Sequence, residues 1–192
     1  MRILIHGGFF SESSQSIETK TQKQQALIQI LEKAKLYLAD HSALQTAIYA
    51  TSLLEDDPLF NAGIGSQIQS DGKIRMSAAI MDGESQKFSG VINIEDVRNP
   101  IFVAQKLMDE EDRVLGGSGA CQYAKLSEFD SFSTQTEERQ KEFLAKKQSK
   151  GTGTVGCVVL DKEGKLAAAT STGGKGFEIP GRVSDSATIA GN

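Results

Sequence analysis

The run from Thr154 to Thr172 constrains this chain more than any other stretch. TVGCVVLD and KLAAATS are short apolar segments, and Lys162-Glu163-Gly164 between them supplies a tight turn. The pattern predicts a buried β-hairpin. Such a hairpin returns the chain beside its start, bringing Thr170 and Thr172 at the end of the second strand close to Thr154 at the beginning of the first. Thr154 stands in Gly153-Thr154-Val155-Gly156, at the boundary between a polar linker and a buried strand. A threonine hydroxyl is a poor nucleophile at neutral pH unless a base removes its proton, and the threonine's own α-amine can be that base. Inside a chain that amine does not exist, so the Gly153–Thr154 peptide bond would first have to break. Glycine on the leaving side tolerates the strained backbone this needs. Taken alone, a Gly-Thr pair is most often just a strand start, and Ser and Thr often do no more than decorate a strand end.

Pro180-Gly181-Arg182-Val183-Ser184-Asp185-Ser186 follows the hairpin. Arg182 and Asp185 are three apart in a segment begun by Pro-Gly, so both can face one side of a turn. A guanidinium fork holds a carboxylate through two charge-assisted bonds, and a carboxylate receives an ammonium. Together they fit the head group of a free amino acid; an ordinary surface ion pair is the commoner outcome for an isolated R-x-x-D. Earlier, Leu54 to Gly65 alternates glycine and apolar residues around Asp57-Pro58, which predicts a compact loop with several carbonyls left to satisfy. Such a loop can coordinate a hard cation through oxygens or be a plain turn, and spacing does not decide.

Helical periodicity predicts helices over residues 18 to 39 and 42 to 54. Residues 2 to 5 read as a first strand, and two more are expected around 74 to 80 and 87 to 94, turned at Asp82-Gly83. Asn99-Pro100 opens a helix to about Met108, and Gly117 to Leu126 gives another. Residues 127 to 153 are polar and read as a mobile linker with at most a marginal helix at 136 to 147. A net charge of -4 argues against nucleic acid as a partner, and no apolar run of 18 residues exists to span a membrane. Cys121 and Cys157 read as buried thiols of a reducing compartment, the cytoplasm. Cys157, three residues from Thr154, is a rival nucleophile unless it packs into the sheet. His41 reads as a solvated loop residue. Acidic pairs without His or Cys at ligand spacing make transition-metal catalysis unsupported.

With these pieces in place, the chain resembles the plant-type asparaginase and isoaspartyl peptidase family of N-terminal nucleophile hydrolases. The resemblance rests on Ile3-Leu4-Ile5-His6-Gly7-Gly8, DPLFNAGIG from Asp57, Ile80-Met81-Asp82-Gly83, Arg98-Asn99-Pro100, GTVGCVVLD, AAATSTGG and PGRVSDS, in the family's order over nearly the whole chain. It implies an α+β four-layer αββα sandwich of two mostly antiparallel sheets, here incomplete at its C-terminal end. It implies one domain, cleaved into portions 1–153 and 154–192. Thr154 is then the nucleophile, Thr172 its hydroxyl partner, Arg182 and Asp185 the binders of the substrate's α-carboxylate and α-amine, and Asn61 a further lining residue. Gly153, Thr154 and His6 would serve self-cleavage. No cofactor is implied for catalysis, but a structural sodium is, held by main-chain oxygens of Leu54, Glu55, Asp57, Phe60, Ala62 and Ile64. The implied substrate is L-asparagine or a β-aspartyl dipeptide, and the implied assembly a homodimer of cleaved units.

The chain departs from the family at Phe9-Phe10 after His-Gly-Gly, at the KGFEI segment between Gly174 and Pro180, and at Ser184 where glycine is common. KGFEIPGR is similar to glycosylasparaginases too, and a selective protease of the taspase kind is a further alternative, against which Arg182 and Asp185 speak. The resemblance places oxyanion donors in a Thr-Gly pair beyond Asn192. The 192-residue chain alone is therefore expected to be a silent or uncleaved fragment with little hydrolase activity.

Overall fold

A computed structural model describes residues 1–8, 16–145 and 153–189. Six strands form one sheet in the order β1-β5-β6-β2-β3-β4. They are β1 (Arg2–His6), β2 (Met76–Asp82), β3 (Lys87–Ile94), β4 (Val114–Gly116), β5 (Val155–Leu160) and β6 (Leu166–Thr172). All neighbours run antiparallel except β3 and β4. The hairpin expected from the sequence is β5–β6, with Leu160 opposite Leu166 and Val155 opposite Ser171. Gly164 adopts φ +80 in its turn, and the amides of Glu163 and Lys165 donate to Asp161 Oδ1.

Helices α1 (Ile17–Leu38), α2 (Ala43–Glu55), α3 (Pro100–Leu107) and α4 (Gly117–Leu126) lie close to their expected spans. Local chemistry fixes their starts. Ser16 caps α1 by accepting from Thr19 N, Ser42 and Gln45 form a reciprocal capping box on α2, and Pro100 opens α3 where its missing N–H costs nothing. Ala26, Ile30, Ala34 and Leu38 recur every fourth residue as the buried stripe of α1. β4, three residues long, is too short to leave a period-2 signature and was not expected.

Strand alternation sorts residues onto two faces. Cys157, Val159, Ala167, Ala169, Ala78, Ile80 and Val91 enter the main core with Ala47 of α2 and Ile101 of α3. Over β1 and β5 the opposite face is bare: Leu4 and Val158, direct cross-strand partners, are 66% and 46% exposed. A second sheet, expected over this face, is not among the described residues.

The stretch read as a mobile linker holds a docked helix, α5 (Glu137–Leu144). Thr136 caps it through Arg139 N, Arg139 Nε donates to Gly65 O at 3.0 Å, and Phe143 stacks on Phe177 with ring centroids 5.2 Å apart. Lys23 of α1 is buried close by; burial lowers its pKa first, and Arg139 adds to that. A polar composition hid these contacts because only a few side chains make them. Residues 146 to 152, like Phe9 and Phe10, lie outside the described residues.

Candidate active site

Thr154 lies at the start of β5, with its side chain on the bare face. Two features hold its backbone. His6 Nδ1 lies 2.9 Å from Thr154 O and 3.2 Å from Gly8 N. An Nδ1–H would donate to the Thr154 carbonyl, and an unprotonated Nδ1 would accept from Gly8, so the tautomer chooses which is held. Gly8 adopts φ +92, and a Cβ there would sit 2.9 Å from Gly153 O and 3.1 Å from its carbon. Only glycine lets the backbone press this closely on the carbonyl of the Gly153–Thr154 bond.

Thr154 Oγ1 meets a hydroxyl, but not the expected one. Its partner is Ser186 Oγ at 2.7 Å, while Thr172 Oγ1 accepts from Gly174 N at 3.3 Å. Continued one step, the register would set Thr154 opposite Thr172, but pairing ends at Val155 with Ser171, and the segment after β6 reaches the Thr154 hydroxyl instead. That segment includes the short 3-10 turn Asp185–Ala187, which packs on β6, β2 and β3. Thr170 Oγ1 donates to Ser186 O at 2.5 Å, and Asn93 Nδ2 donates to Arg182 O at 3.1 Å. Ser186 carried no spacing signal of its own, being merely one more serine beside Asp185.

A cleft of about 300 Å3 opens on this face, lined among others by His6, Thr154, Gly156, Thr170 and Asp185. Arg182 and Asp185 are both exposed and form no ion pair with each other among the described residues. Among the described residues neither charged head has a hydrogen-bond or ion-pair partner. Arg182, Asn61 and Thr172 do not line this cleft. Asn61 and Thr172 instead shape the turn after β6: Asn61 Nδ2 donates to Gly174 O at 2.5 Å, Gly173 N donates to Asn61 O at 2.9 Å, and Asn61 Oδ1 is left buried without a partner. An orphaned acceptor of this kind costs free energy until a donor reaches it.

Cys157 points the other way, into the core, where burial pushes its thiol up to about 12. It is not a thiolate at neutral pH, which removes it as a rival to Thr154. On the same inner face, Glu55 is fully buried and desolvation raises its carboxyl to about 8. Its Oε1 accepts from Ile101 N at 3.1 Å, anchoring the start of α3 behind the hairpin. His41 is half-buried, with its ring stacked on Tyr37 at 3.6 Å rather than merely solvated.

The loop from Leu54 to Ile64 packs its glycines closely against its own carbonyls. A Cβ on Gly63 would collide with Glu55 O, and one on Gly65 with Phe60 O and, at 2.7 Å, Pro58 O. The carbonyls of Asp57 and Ala62 each accept an amide, from Phe60 and Gly65 at 3.1 Å, and each keeps a second lone pair. This neutral oxygen set fits a hard cation of low charge. No group of three or more His, Cys, Asp or Glu side chains among the described residues could hold a metal ion, and no described helix is long and apolar enough to cross a membrane.

The asparaginase family model matches residues 1–152 and 133–192. An isoaspartyl peptidase/L-asparaginase from a Nostoc species is 43% identical over 100% of this chain and 66% of its own length. One of the same description from a Synechocystis species is 41% identical over 100% of the chain and 63% of its length. The isoaspartyl peptidase of Escherichia coli is 35% identical over 97% of the chain and 65% of its length. The chain thus spans about two thirds of the length of these curated relatives. With a match that reaches from one end of the sequence to the other, the chain belongs to the asparaginase family.

Proposed function

We propose that the protein hydrolyses the side-chain amide of L-asparagine and the β-peptide bond of β-aspartyl dipeptides, with Thr154 as nucleophile after self-cleavage at Gly153–Thr154. The observation that carries this reading is the junction itself: the Gly153 carbonyl is pressed against Gly8, and the adjoining Thr154 hydroxyl opens on a cleft that also holds Asp185. In the first reaction Thr154 Oγ attacks the Gly153 carbonyl carbon, the C–N bond breaks, and the hydroxyl proton goes to the departing nitrogen. Water then hydrolyses the ester, leaving a Gly153 carboxylate and a free Thr154 α-amine. In turnover that amine takes the hydroxyl proton, Oγ attacks the substrate's β-carbonyl, ammonia or an amine leaves, and water cleaves the β-aspartyl ester.

Arg182 and Asp185 hold the substrate's α-carboxylate and α-amine, and Asn61 contributes from the turn behind. That neither charged head is paired among the described residues supports this assignment. We also propose that main-chain oxygens of Leu54, Glu55, Asp57, Phe60, Ala62 and Ile64 hold a sodium that stiffens the loop carrying Asn61. A second sheet over Leu4 and Val158 would complete a four-layer sandwich, and pairs of cleaved units would form a cytoplasmic homodimer. The bare apolar pair on the sheet supports the covering layer.

The test is a substrate panel on purified full-length protein. Release of aspartate from asparagine and β-aspartyl dipeptides is expected. Arg182→Ala should raise KM about 30-fold or more, the equivalent of about 2 kcal/mol or more, with the melting temperature little changed. Cleavage of ordinary peptides in place of β-aspartyl dipeptides, or an unchanged KM in the variant, would sink the assignment.

A further inference from the structure

Ser186 is fully buried, and the chemistry above does not use it. Burial alone does not give a serine here a contact: Ser184, two residues earlier, is also buried and its hydroxyl has no partner. Ser186 Oγ, by contrast, lies 2.7 Å from Thr154 Oγ1, a short O–H···O distance in which either oxygen can donate. Its own position is pinned. Thr170 Oγ1 holds its carbonyl at 2.5 Å, and Thr188 closes the turn by donating N and Oγ1 to Asp185 O at 2.9 and 2.7 Å.

Thr154 is fixed differently. Its backbone is held by strand pairing from Val155 onward and by His6, which leaves the choice among the few staggered χ1 wells to decide where the hydroxyl points. A hydrogen bond from a fixed partner selects one of those rotamers. We propose that Ser186 is a positioning residue that orients the Thr154 hydroxyl for attack on the Gly153 carbonyl. The inference rests on the reading of Thr154 as nucleophile and deepens it. It also gives Asp185 a second consequence, because the residue that receives the substrate's amine is covalently next to the one that holds the nucleophile.

The experiment follows self-cleavage of the full-length protein by intact mass over time, for the parent and for Thr154→Ala, Ser186→Ala, Ser186→Thr and Thr170→Val. Misorientation of a reacting group costs on the order of 10- to 100-fold in rate. Ser186→Ala should slow cleavage by that factor with its melting temperature within a few degrees of the parent, and Ser186→Thr, which restores a hydroxyl, should recover most of the rate. In the fraction that matures, Ser186→Ala should lower kcat with KM for a β-aspartyl dipeptide unchanged. Splitting of Thr154→Ala would overturn the nucleophile reading itself. Arrest of Thr154→Ala alongside Ser186→Ala cleaving within two-fold of the parent would overturn only the role of Ser186. Should Ser186→Ala not fold, Thr170→Val decides, since it frees the Ser186 carbonyl and leaves its hydroxyl in place. Slowing of several-fold is expected there, and an unchanged rate overturns the proposal.

Discussion

The two faces of the sheet are built from alternate residues of the same strands, yet they do opposite work. On the inner face Val159, Cys157, Ala169 and Ile80 are sealed in one apolar core with residues of α2 and α3. On the outer face Thr154, Thr170 and His6 stand beside Leu4 and Val158 in a cleft open to solvent. One residue along β5 separates a core valine from an exposed one. The contrast shows how one hairpin divides its residues: the sealed face holds the strands rigid, so that the hydroxyls on the other face need only local bonds to be placed.

The sharpest way to break this comparison is to put the same charge on each face. Val159→Asp should destabilise the protein by about 3 to 5 kcal/mol, because it buries an unpaired carboxylate in a packed core. Val158→Asp should cost within about 0.5 kcal/mol if the outer face is bare and several times that if a second sheet covers it. Denaturant unfolding of both variants reads the difference. For the full-length protein the account expects a clear loss in both; near-neutrality of Val158→Asp there would exclude the covering layer.

Glu55 tests the inner face from its polar side. Its Oε2 and the Ser171 hydroxyl are both buried and without a hydrogen-bond partner, while Oε1 anchors Ile101 N. Glu55→Ala removes that anchor and leaves a void, so a loss of about 2 to 4 kcal/mol in thermal or denaturant unfolding is expected. Glu55→Gln keeps the acceptor and replaces the O–H of the neutral carboxyl with an N–H that can reach Ser171, and should be nearly neutral. Equal losses in the two would show that the carboxyl itself, not the anchor, is needed.

Much of this contrast was legible beforehand. Period-2 and period-3.6 patterns, together with Ser42, Pro100 and Gly164, locate the helices and the hairpin because each signal is local. The site was readable only in part. Thr154 and His6 occupy motifs, but the Thr154–Ser186 contact joins residues 32 apart through a turn whose path depends on Thr170 and Asn93. No spacing encodes that path. The docking of α5 was hidden for the same reason, since Arg139 reaches the Gly65 carbonyl and Phe143 finds Phe177.

That helix offers a smaller test. Arg139→Ala or Phe143→Ala should cost about 1 kcal/mol or less globally but should speed proteolysis within residues 127–145, because few other contacts hold the segment. Unchanged proteolysis would mean α5 is not held by these side chains. Smaller still, Cys157→Ala should leave self-cleavage unchanged, and alkylation of the folded protein should mark Cys121, which is half-buried, before Cys157.

The central claim is that Thr154 cuts the bond before itself. Intact mass and N-terminal sequencing of the purified full-length protein and of Thr154→Ala test it most directly. The account predicts two fragments from the parent, the second beginning at Thr154, and one unbroken chain from the variant. A parent that stays whole under conditions where it hydrolyses β-aspartyl dipeptides, or a variant that still splits between residues 153 and 154, would contradict it.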